Sequence, residues 1–103
     1  MKKLLLILLC LPFIGFGQNI YIPDANFKAY LVGNAAINTN GDTAIQLTEA
    51  ISFNGNILCT NMNIADLTGI EYFTALDALW CAENQLTKLD VSNNHALTTL
   101  RCN

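Results

Sequence analysis

From Ile57 to the end of the chain, apolar residues recur in a single frame. The stretch from Leu76 to Leu89, LDALWCAENQLTKL, places them at Leu76, Leu79, Cys81, Leu86 and Leu89, with Asn84 among them. The frame restarts at Leu97, Leu100 and Cys102, and it runs backwards to Ile57, Cys59, Ile64 and Leu67. The cysteines mark the period, 22 positions from Cys59 to Cys81 and 21 from Cys81 to Cys102. Within each unit the apolar residues alternate with outward ones, the period of two that a strand requires. Each unit therefore predicts a short strand, a polar turn and an outer connection. The connections 68–75 and 90–96 differ by one residue, an ordinary length change on an outer surface.

This frame is that of a leucine-rich repeat, whose units span 20 to 29 residues. Asn84 stands where the repeat carries its polar rung, and its side chain is expected to satisfy backbone groups in the turn leaving the strand. Met62 holds the equivalent place in the first unit, so the rung is legible in one repeat only. Upstream the pattern changes. Residues 19–22 read as extended, Pro23-Asp24 opens a helix over about 25–33, and Asp24 is suited to cap its free N–H groups. Phe27, Tyr30 and Leu31 give that helix one apolar face, and Gly33-Asn34 stops it. Leu47, Ala50, Ile51 and Phe53 predict a second short helix ending at Asn54-Gly55. The expected fold is an α/β solenoid: about 2.5 leucine-rich repeats over 56–103, incomplete at the C-terminus. Their parallel strands line the concave face behind a small helical, EF-hand-like N-terminal cap over 18–55.

The linker between the two helices carries candidate metal chemistry. Counted from Asn38, oxygen-bearing side chains stand first, third, fifth, ninth and twelfth (Asn38, Asn40, Asp42, Gln46, Glu49), with the Ala44 carbonyl seventh. That is EF-hand loop spacing after a helix, and calcium takes six to eight such oxygens. These six residues are the candidate ligands of a weak calcium site. Two departures favour an alternative, a polar connection that keeps the shape without the ion. Asn38 is neutral where a carboxylate is usual, and Thr43 takes the sixth place, where a sharp turn favours glycine.

Residues 1–17 read as a secretory leader: Lys2 and Lys3, an apolar centre from Leu4 to Phe16, and a small-x-small cleavage site at Gly15-x-Gly17. The apolar run is too short to span a bilayer, so no membrane insertion is expected once it is removed. Part of the 52% hydrophobic content belongs to this leader and is not membrane character. Its removal leaves Lys28, Lys88 and Arg101 against eight acids, a formal charge of −5. Such a surface repels phosphate backbones and excludes nucleic acid as a partner. Three cysteines remain, all at one inward rung. Parallel Cβ vectors make good disulfide torsions difficult, which favours a buried column of thiols over a bridged pair. His95, beside Asn93 and Asn94, reads as a solvated loop residue.

No catalytic constellation is visible, and no enzyme activity is expected. The outward positions are Asn56, Leu58 and Thr60, then Ala78, Trp80 and Ala82, then Thr99, Arg101 and Asn103. Aligning the rungs sets Leu58, Trp80 and Arg101 side by side, the composition of a binding hot spot, with Arg101 able to stack on the indole. The alternative is that Trp80 merely covers Ala78 and Ala82.

The phrases IPDANFKAYL, NTNGDTAIQLTEA, NIADLTGIEYFTAL and NQLTKLDVSNNHALTTL resemble the internalin-like leucine-rich-repeat proteins of bacterial cell surfaces, closest to secreted members typical of Bacteroidetes. The resemblance covers residues 18–103. It implies a secreted or cell-surface module that binds a protein or glycan ligand in recognition or adhesion. The alternative is a capping and spacer segment of a longer surface protein, with its ligand face in other repeats. It also implies a cap like a truncated EF-hand that holds no metal. Two and a fraction repeats with an open strand edge at 99–103 imply a portion of a longer chain or a truncated gene product.

Overall fold

The computed structural model describes residues 18–102, so the leader expected at 1–17 and the outward position of Asn103 lie outside the described residues. The elements follow in the order helix α1 (Ala25–Val32), helix α2 (Leu47–Ser52), strand β1 (Asn56–Leu58), a 3-10 turn at Ile70–Tyr72, strand β2 (Ala78–Trp80) and strand β3 (Thr99–Arg101). The strands form one parallel sheet in the order β1-β2-β3. Its register pairs Asn56 with Ala78 and Thr99, Ile57 with Leu79 and Leu100, and Leu58 with Trp80 and Arg101. Parallel neighbours need a long crossover, and the outer connections supply it.

The frame of apolar residues becomes the core. Ile57, Cys59, Ile64, Leu76 and Leu79 are fully buried, and Cys81 nearly so. Burial fades toward β3, which lies at the edge of the sheet among the described residues. Leu86, Leu89 and Leu97 are half-buried, and Leu100 is 45% exposed.

The cap forms as the sequence dictates locally. Both Asn26 and Phe27 donate their backbone N–H to Asp24 Oδ1 at 3.0 Å, and the helix stops where the Gly33 N–H bonds the Ala29 carbonyl. Residues ahead of α1 pair with those entering α2: the Ile20 N–H meets the Ile45 carbonyl at 2.9 Å and the Leu47 N–H meets that of Gln18 at 2.8 Å. Phe27, Leu31, Ile37, Ile45 and Ala50 are fully buried and join the repeat core in one cluster. Phe53 closes the joint edge-on to Phe73, ring centroids 6.4 Å apart. Ile51, expected on the apolar face of α2, is 43% exposed.

The cap is a helix–loop–helix, but its loop departs from the EF-hand pattern. The left-handed residue is Gly41 (φ 73°), the fourth position, whereas Thr43 at the sixth is not left-handed. The sharp turn comes two residues early because glycine, free of a Cβ clash, takes the strained conformation more cheaply than threonine.

His95 is exposed, as its loop position suggested. Its neighbour Asn94 is buried, and its Nδ2 donates to the Ile70 and Phe73 carbonyls at 2.8 and 2.9 Å, satisfying the 3-10 turn from inside. One further expectation is corrected. The cysteines do not form a column of three thiols: Cys81 and Cys102 are paired as a disulfide, with Cα atoms 4.6 Å apart. Stacked strands bring their Cα atoms within the usual disulfide range, so same-direction side chains do not prevent the pair. Cys59 is free and buried, and burial pushes its thiol up to about 11.

Candidate interaction face

The polar rung sets the strands at their spacing. Asn84 Oδ1 accepts the backbone N–H of Met62 (2.8 Å) and Ile64 (3.0 Å), both in the turn of the preceding repeat. Its Nδ2 donates to the carbonyls of Cys59 (2.8 Å) and Cys81 (3.0 Å), with a longer contact to Ala82. One side chain thus completes two consecutive turns, and the absence of an asparagine at Met62 is made good from the next unit. Asn61 and Glu83, at equivalent places in these turns, are both left-handed (φ 58°).

α1 positions the first rung. Asp24 Oδ2 accepts the Ala65 and Asp66 N–H groups at 2.9 and 3.2 Å, beyond the two helix bonds made by Oδ1. Burial raises the Asp24 pKa, but these four backbone donors outweigh it and hold the carboxyl below its usual value. Asn26 Nδ2 reaches the Asn63 carbonyl at 3.0 Å, and Tyr30 Oη accepts the Leu58 N–H at 2.9 Å. The free edge of β1 is therefore partly covered by the cap, a usual defence of a strand edge.

On the outward face of the sheet, Leu58, Trp80 and Arg101 lie side by side in register. Leu58 is 47% and Trp80 39% exposed, and the Arg101 guanidinium carbon sits 4.7 Å from the indole centroid. Stacking sets the two side chains in one orientation against each other, and both residues remain exposed. Asn56 and Thr60 are exposed, Ala82 and Thr99 half-buried, and Ala78, counted among the outward positions, is buried. Of the candidate metal residues, Asn40, Asp42 and Gln46 bond to one another through their side chains in the loop before α2, whereas Asn38 bonds backbone carbonyls and Glu49, in the first turn of α2, accepts from backbone N–H groups and the Thr39 hydroxyl. Sequence reasoning missed the bonds from Asp24 Oδ2 and from Asn94, whose partners stand some 41 and 24 residues away.

A cleft of about 430 Å³ opens between the outer connections, lined by Asp66, Glu71, Lys88 and Asp90 and not by Leu58, Trp80 or Arg101. Its acids are engaged locally. The Thr68 hydroxyl and N–H, helped by Lys88, hold Asp66 below the usual carboxylate range, and Ser92 does the same for Asp90. No helix of the described residues is long and apolar enough to cross a membrane.

No family model matches the chain. It is 38% identical over 76 residues to internalin J of Listeria monocytogenes serotype 4b (strain F2365), covering 74% of this chain and 8% of that protein. A solved structure, the functional domain of InlJ from Listeria monocytogenes, including a cysteine ladder, matches with a TM-score of 0.67 at 34% identity. That match covers 84% of this chain and 19% of the other. The chain is thus similar to internalin J over most of its own length, and its fold is of the leucine-rich-repeat type.

Proposed function

We propose that this chain is a non-catalytic surface-recognition module that binds a protein partner through its concave face, with Trp80 at the centre. The alignment of Leu58, Trp80 and Arg101 across three strands carries the reading. Binding energy concentrates in aromatic and arginine anchors held rigid before contact, and the Arg101–Trp80 stack provides that preorganisation. The similarity to internalin J supports a surface role, and residues 1–17 fit an export leader. Adhesion follows if the partner is fixed to a second cell.

Labelled chain incubated with arrays of extracellular proteins and glycans tests this reading. The expected result is saturable capture by a protein, weakened about 10- to 100-fold in Trp80→Ala with an unchanged circular dichroism spectrum. Capture equal in the two chains, or by glycans alone, would refute it. A second reading, a capping and spacer segment, is favoured by the burial of Ala78 beside Trp80. It predicts no capture in either chain.

A further inference from the structure

The loop spacing implies calcium, and the donor set decides whether the ion fits. Asn38, 4% exposed, turns its amide nitrogen inward, donating to the Val32 carbonyl at 2.9 Å and the Asp42 carbonyl at 2.7 Å. Its Oδ1 is buried without a partner. An unpaired buried oxygen costs free energy, so the orientation is held by the two carbonyls that need hydrogens. Asn40 Nδ2 donates to Asp42 Oδ2 (3.2 Å) and Gln46 Oε1 (3.0 Å). Gln46 Nε2 donates to Asp42 Oδ2 (3.0 Å) and Asn19 Oδ1 (2.8 Å). Asp42 Oδ1 accepts the Ala44 N–H at 3.1 Å.

Glu49, which would close a calcium loop bidentately, is also engaged. Its Oε1 accepts the Gln46 N–H at 2.9 Å, and its Oε2 accepts the Asn40 N–H and the Thr39 hydroxyl, each at 3.3 Å. All four carboxylate oxygens of the candidate set therefore have donors, and three amide nitrogens stand among the oxygens an ion would gather. The left-handed residue at the fourth position rather than the sixth gives the loop a different course. These residues do not fit calcium.

We propose that the 38–49 loop is latched by the amides of Asn38, Asn40 and Gln46 in the place of a cation, so the cap keeps its shape without calcium. Neutral donors satisfy Asp42 and Glu49 without the cost of stripping water from a divalent ion, and Asn38 joins the end of α1 to the middle of the loop. The inference is independent of the concave face.

Thermal unfolding of the full chain in chelator and in millimolar calcium tests it, with Asn38→Asp and Gln46→Glu alongside. Each substitution adds ligand charge to a calcium site but turns donors of an amide latch into acceptors. The latch predicts one Tm for the wild-type chain in both conditions, and a Tm about 4–8 °C lower for either variant in both. A saturable calcium-dependent rise in the wild-type Tm overturns the proposal, as does recovery of either variant's loss on adding calcium. The wild-type comparison is decisive alone should a variant not fold.

Discussion

At the residue scale, a few polar side chains carry more structure than their local sequence suggests. Asn84 makes its bonds to two turns, so Asn84→Ala strands several part-buried groups at once. A loss of about 2–4 kcal/mol is expected in denaturant unfolding; a loss below about 0.5 kcal/mol would place the turns' stability elsewhere. Asp24→Asn keeps an oxygen for the helix cap but sets an amide against the Ala65 and Asp66 N–H groups. A destabilisation of about 1–2 kcal/mol follows. Because the folded-state pKa of Asp24 is lowered, its contribution is complete above the unfolded carboxylate pKa and is lost as pH falls through the folded value. The wild-type and Asp24→Asn stabilities are therefore expected to converge in acid, measurable by urea titration from neutral pH downward. Glu83 occupies a left-handed conformation that its counterpart Asn61 adopts more readily. Glu83→Asn is expected to stabilise the chain by about 0.5–1 kcal/mol.

At the element scale, most of the architecture is legible in the spacing of apolar residues, since strand alternation and a repeat of 21–22 positions leave one way to bury Ile57, Leu79 and their neighbours. The helix α1 is equally legible, because Asp24, the Phe27–Leu31 face and Gly33 act within one or two turns. What the sequence hides are contacts without local period. Asn94 looks like loop polarity because its carbonyl partners lie a full repeat upstream. The loop before α2 looks like an EF-hand because spacing reports which oxygens are present and says nothing of which hydrogens reach them first. The cysteine frame is plain, but stacking alone does not choose between thiols and a bridge. With the Cys81–Cys102 pair, denatured chain lacking residues 1–17 should show one reactive thiol before reduction and three after. Three before reduction would restore the column of thiols.

At the scale of the whole molecule, the cap and repeats share one apolar cluster and are joined by Asp24, Asn26 and Tyr30. They are expected to unfold as a unit. Fluorescence of Trp80, the single tryptophan, reports the sheet, and far-ultraviolet circular dichroism is dominated by the cap helices. Coincident transitions by the two probes are expected; a separate helical transition would mean the cap is an independent body. The chain spans a small share of the proteins it resembles.

The reach of Asn84 into the preceding turn also bears on how such chains diversify. When a unit's turn is finished by the unit after it, the residue at its own rung is released from that duty, as the half-exposed Met62 shows. A foreign unit spliced ahead of an asparagine-bearing one need not bring the amide itself. Grammar of this kind makes the chain's repeats interchangeable in one direction only, read from the cap outward.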